Sequence, residues 1–157
     1  MAWTTPRTWT SAEVVTKTIM DTHIRDNLNA MSSWTSYTPT WTGTGGTPTV
    51  GNGTLSGSYL SYGGVVMVRI SLTWGSTTAA AGITAWKFAL PVAPSSAGIL
   101  PGIVVDTGVA QYPAVLSDFA GSAGVLRVGT GLTPASNTSP MTWGTGDNVI
   151  INGTYIA

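Results

Sequence analysis

Hydrophobic and polar positions change rhythm once along this chain, near residue 36. Before it, the apolar residues Val15, Ile19, Met20, Ile24, Leu28 and Met31 fall at helical spacing, and from Met20 onward they draw one stripe. Lys17, Asp21, Arg25 and Asn29 recur on the opposite side, with Lys17–Asp21 and Asp21–Arg25 at helical ion-pair spacing. Thr10 stands ahead of Glu13 at the spacing of a capping box, so the pattern predicts a helix opening at Thr10, and Pro6 forbids a much earlier start. A lone helix of this length is marginal in water, so its stripe needs a partner: the same helix in sister subunits, or the chain's own β domain. Ile24, Leu28 and Met31 alone make too short a seam to hold an oligomer.

After residue 36 the period becomes two and the punctuation dense. Tyr37–Thr42 alternates aromatic residues and threonine and suits an edge strand interrupted by Pro39. Thr54–Tyr62 alternates again, Gly63-Gly64 has the form of a hairpin turn, and Val65–Trp74 is the strongest strand, with Val66, Val68, Ile70, Leu72 and Trp74 on one face. Further strands are expected over 85–90, 98–107, 108–116, 124–129 and 149–156, with Asp118–Ser122 as a turn. The predicted class is mainly β: an antiparallel β-sandwich or jelly roll over residues 37–157, preceded by an extended arm and one α-helix over residues 1–36. An up-and-down barrel is the alternative.

Composition sharpens the picture. Charged residues are 8% of the chain against roughly 25% in an ordinary soluble domain, and half of them sit in the arm. So sparsely charged a surface, with formal net charge zero, favours association with copies of itself or with other proteins; a Thr/Ser-coated extracellular domain is the other option. Neutrality points to no nucleic-acid and no anionic-membrane partner. The absence of cysteine excludes a disulfide scaffold and thiol catalysis. The start has neither the basic residues nor the apolar run of a secretory signal, and no run reaches the ~20 apolar residues of a membrane span, so synthesis in a cytosol is expected.

Both ends of the chain carry a resemblance. Trp3-Thr4-Thr5-Pro6-Arg7-Thr8-Trp9 through His23-Ile24-Arg25-Asp26-Asn27-Leu28-Asn29-Ala30 looks like the opening of many tailed-bacteriophage structural proteins. Tyr37–Thr42, Gly51–Leu55, Val65–Trp74, and Pro140–Asp147 leading to Ile151–Tyr155 are similar to their β domains. The resemblance implies a virion component, a trimer of β-sandwich domains on the capsid exterior or on the tail, made in the host cytoplasm. It carries over no enzyme and no catalytic residue. Its partners would be its own copies and the major capsid protein or other virion proteins. Within that frame the arm anchors the protein through Trp3, Trp9, Ile19, Ile24, Leu28 and Met31, and the β domain faces outward as a capsid decoration protein or head fibre. The competing expectation is a minor tail or receptor-binding protein that contacts host surface glycan.

Little else suggests chemistry. His23 is the only histidine and lies mid-helix, away from any loop able to frame an oxyanion hole. With one His, no Cys and scattered acids, no metal or cofactor site is expected. Asp106, Asp118 and Asp147 fall near turns, where capping is the usual role of aspartate and a glycosidase carboxylate pair the rarer one. Tryptophan is unusually abundant. Trp41 and Trp143, beside glycine loops, are the candidate glycan contacts, against a core or subunit-interface role; Trp74 and Trp86 belong to apolar strands and are expected in the core.

Overall fold

The computed structural model describes residues 4–157. Trp3, one of the expected anchors, lies outside the described residues. Ten strands follow one helical rod: β1 (Thr35–Tyr37), β2 (Trp41–Thr44), β3 (Thr54–Tyr62), β4 (Val65–Thr73), β5 (Thr84–Ala89), β6 (Leu100–Asp106), β7 (Ala110–Ala120), β8 (Ala123–Val128), β9 (Thr133–Pro134) and β10 (Asn148–Ile156). The chain is mainly β and its strand pairs are antiparallel, as the period-two pattern predicts.

The strands hydrogen-bond as one sheet in the order β1-β3-β4-β10-β6-β7-β8-β5-β2, with β9 attached to β8. A sandwich would divide them between two sheets; here a single sheet curls. Nine strands laid flat would span roughly 40 Å at ~4.8 Å per neighbour. Yet β1 and β2, the two edges, are joined by Thr38-Pro39-Thr40 alone, a reach of at most about 14 Å. The sheet must therefore roll until its edges nearly meet. The proline expected to interrupt one edge strand marks instead the crossing from one edge to the other, and Pro39 is buried there. Tyr37 ties the seam: its hydroxyl donates to the Ala89 carbonyl (3.4 Å), and its ring packs edge-on against Tyr59. Gly57 makes room for that ring, since a Cβ there would stand 2.4 Å from it.

The expected β4 pattern holds, with Val66, Val68, Ile70 and Leu72 buried along one face. Gly63 and Gly64 both take positive φ (54° and 82°), as a two-residue hairpin of the favoured twist requires. The Asp118–Ser122 turn is placed differently. β7 runs on to Ala120 through an irregularity between Ser117 and Ala120, where Asp118 takes φ 52°; only Gly121-Ser122 reverses the chain.

Inside the roll, four tryptophans and Phe88 form one aromatic cluster. Trp41 packs edge-on against Trp86 (4.9 Å) and Trp74 (5.9 Å) and parallel to Phe88 (6.1 Å). Trp74 stacks on Trp86 (5.8 Å) and on Trp143 (5.3 Å). Trp86 is wholly buried at the centre.

Candidate functional site

The helix begins later than the Thr10 capping box predicts. Glu13 does reach back to the Thr10 amide (3.3 Å), but the pair closes an isolated turn in which Ala12 takes φ 63°. The β-branched run Val14-Val15-Thr16 then resists helix, and the rod starts with α1 (Lys17–Met20), capped by the Thr16 hydroxyl accepting from the Ile19 amide (3.3 Å). A wide π-type turn over Asp21–Arg25 leads straight into α2 (Asp26–Ala30).

A device unforeseen in the sequence ties the extended lead to this rod. The buried Asn27 side chain accepts from the Thr4 amide (2.9 Å) and donates to the Thr4 carbonyl (2.9 Å) and the His23 carbonyl (3.2 Å). One signal was available: asparagine mid-helix is a weak helix former that usually has a local hydrogen-bonding reason. The arm's charges also satisfy one another. Arg7 pairs with Glu13, Lys17 and Arg25 both pair with Asp21, and Arg25 with Asp26. The Lys17 hydrogen bond, helped by Arg25, holds the Asp21 carboxyl below its ordinary range.

The apolar stripe stays in the open. Ile24 is 41% exposed, Leu28 62% and Met31 45%, and with Pro6 they border a groove of about 190 Å³. Val15, Met20, Trp9 and Trp34 are exposed as well, while Ile19 is half-buried; the Arg7 guanidinium lies 5.3 Å over the Trp9 ring. Of the two partners expected for the stripe, the chain's own β domain is not it. The rod meets the sheet mainly through α2 against β3, where Ala30 and, on the outer face of β3, Leu60 are buried.

At the other end of the roll the chain builds a cleft. One wall is the loop after β4, Trp74 to Ala81; the other is the segment Asn137 to Thr145 before β10; the volume is about 410 Å³. Asp147 fixes the second wall. Its buried carboxylate accepts from the Thr107 amide (2.9 Å) and the Gly144 amide (2.6 Å), and its backbone carbonyl accepts from the Trp74 amide (2.8 Å). Asn52 fixes the first wall: its side chain accepts from the Thr77 amide (2.9 Å) and donates to the Ser76 hydroxyl (2.9 Å).

The two candidate glycan contacts separate here. Trp41 is 4% exposed inside the aromatic cluster, so it offers no ring face to a ligand, and the glycan expectation for it is corrected to a core role. Its glycine neighbours are the reason it looked like a loop residue: a Cβ at Gly43 would clash with Ile83, so that glycine serves close packing. Trp143 is half-buried and does line the cleft, its indole N–H donating to the Ser136 carbonyl (2.9 Å). Trp74, expected only in the core, touches the cleft too.

The residues weighed for catalysis lie apart. His23 sits in the π-turn of the rod with its Nδ1 buried and, among the described residues, unpartnered. Asp118 pairs with Arg127 on the outside of the roll, and Asp147 is occupied by backbone amides. Among the described residues no three His, Cys, Asp or Glu side chains gather as a metal would need. Comparison of the chain with protein-family models, curated proteins and solved structures gives no match.

Proposed function

We propose that this chain is a non-enzymatic structural protein of a tailed-phage particle, an oligomer, in the simplest form a trimer, that attaches by its N-terminal arm and presents the β domain outward as a capsid decoration protein or head fibre. The observation that carries the reading is the stripe of Met20, Ile24, Leu28 and Met31, left open on a rod that the chain otherwise braces by the Asn27 clamp and its ion pairs. A braced arm with an uncovered apolar face is suited to being covered by something else. The sparse charge of the whole chain and the phage-like sequence at both ends support the same reading.

The geometry suits display. Thr35, just past the rod, pairs with Tyr59, so the rod lies beside the Tyr62 half of β3, whereas Trp74 follows the opposite end of β4. From Met67, the partner of Leu60, to Trp74 the strand path is about 23 Å at ~3.3 Å per residue. Arm and cleft thus occupy opposite ends of the domain. Repeated sites on a particle would multiply the effect of a weak arm contact.

The test is deletion of residues 1–31 followed by incubation with particles lacking the protein. The full chain is expected to co-sediment and the deletion variant to stay in the supernatant; equal co-sedimentation would remove the arm from the account. The cleft favours a second reading, a tail or receptor-binding protein, if its copy number proves small.

A further inference from the structure

The cleft combines features that fit one ligand class. Trp143 forms an aromatic wall, held by stacking on Trp74 (5.3 Å), by a tilted contact with Trp86 (4.8 Å) and by its hydrogen bond to Ser136. Around it lie the Asn137 amide and the hydroxyls of Ser76, Thr142 and Thr145. Among the described residues the side chains of Asn137, Thr142 and Thr145 have no hydrogen-bond partner within the protein, so they are free to bond outward. Thr78 is different: its hydroxyl is already used between Gly75 and Val50. Among the described residues no charged side chain lines the cleft.

An aromatic wall wants an apolar ligand face, while an amide and hydroxyls want a rim of groups that both donate and accept. A phosphate, sulfate or carboxylate would find no cation to pay its desolvation here. A neutral pyranose has both surfaces, a patch of C–H on one face and hydroxyls around the edge, and about 410 Å³ is room for one or two such rings. The walls are also fixed beforehand, by Asp147 on one side and Asn52 on the other, which lowers the ordering cost of a small ligand.

We propose that the cleft between Trp74–Ala81 and Asn137–Thr145 binds a neutral pyranose sugar, stacked on Trp143 and hydrogen-bonded by Asn137 and Thr142. The site goes beyond the structural role proposed above and does not depend on what the arm binds. It lies at the end of the domain away from the arm.

The experiment uses the purified full chain, with no particle present. It is screened on an array of neutral and acidic glycans, then titrated with the methyl glycosides of glucose, galactose and N-acetylglucosamine and with neutral oligosaccharides, read by amide NMR shifts and tryptophan fluorescence. Expected are saturable shifts confined to the two wall segments, quenching of the tryptophan signal, and no gain from an added carboxylate or sulfate on the sugar. Asn137→Ala should weaken binding about tenfold, the loss of one good hydrogen bond, and Thr142→Ala by a smaller factor. Both should keep the parent melting temperature, since neither side chain supports the core, and Trp143→Phe, which retains a stacking ring, should bind more weakly than the parent but more tightly than Trp143→Ala. Silence on the whole array, shifts outside the cleft, preference for acidic sugars or for a nucleoside, or full affinity in Asn137→Ala would each overturn the assignment.

Discussion

Replacing Ile24, Leu28 and Met31 together by glutamine separates an anchoring stripe from a structural one. Glutamine keeps helix propensity close to that of the residues it replaces, so the rod should persist. These side chains are 41%, 62% and 45% exposed in the single chain, so folding has used only about half of their burial. Full burial of such a side chain contributes about 1.5–3 kcal/mol, which leaves roughly 1 kcal/mol per residue to be gained on docking. Three residues then account for about 3 kcal/mol per arm, on the order of a hundredfold in the dissociation constant, and an oligomer engaging several arms loses more. None of the three belongs to the core cluster of the β domain. Thermal unfolding of the domain should therefore move by only a few degrees, while binding to particles, measured by co-sedimentation over a concentration series, falls a hundredfold or more. A steep loss of melting temperature with unchanged binding would mean that the stripe packs on its own domain, and the reasoning from exposure would be refuted.

Three further outcomes follow from the fold. Trp86→Ala removes the wholly buried centre of the aromatic cluster and should cost about 3–5 kcal/mol in urea unfolding, with loss of the near-ultraviolet circular dichroism of the coupled indoles. Asp147→Ala leaves the Thr107 and Gly144 amides without their acceptor; both residues lie at the surface where water can partly replace it, so the expected loss is about 1–2 kcal/mol, and an unchanged denaturation midpoint would deny Asp147 its bracing role. Burial pushes the phenols of Tyr37 and Tyr155 above their ordinary value of 10.0. The unfolded chain then releases these protons first as the solution becomes alkaline, so their contribution is intact below pH 10 and declines above it. Tyr37→Phe should make the alkaline decline of the melting temperature shallower.

Much of the sheet was legible from periodicity, because β4 and its neighbours bury one face and expose the other, and that asymmetry is written into Val66, Val68, Ile70 and Leu72. Closure of the sheet was not. The two edges meet through Tyr37, Pro39 and Trp41, and a step of a few residues between opposite edges leaves no periodic trace; it shows only as threonine-aromatic alternation with a proline in it. The helix start was misplaced for a related reason. A capping pair satisfies backbone groups whether or not a helix follows, and Val14-Val15-Thr16 decided that none did until Lys17.

The site was half legible. Glycine beside tryptophan marked both Trp41 and Trp143, but the same local sequence serves close packing at Gly43 and an open wall at Gly144. The difference lies in how fully the rest of the chain encloses each ring: Trp74, Trp86 and Phe88 bury Trp41, while Trp143, although it packs on Trp74 and Trp86, still borders the cleft. The Asn27 clamp and the Asp147 brace likewise join residues far apart in sequence, and spacing carries no record of them.

The most direct test of the central claim is the copy number of this chain per purified particle, by quantitative mass spectrometry against the major capsid protein. A ratio of tens to hundreds of copies is what a protein anchored by its arm over a repeating shell must give. A handful of copies would contradict the decoration reading and place the chain on the tail, and its absence from particles would contradict the account as a whole.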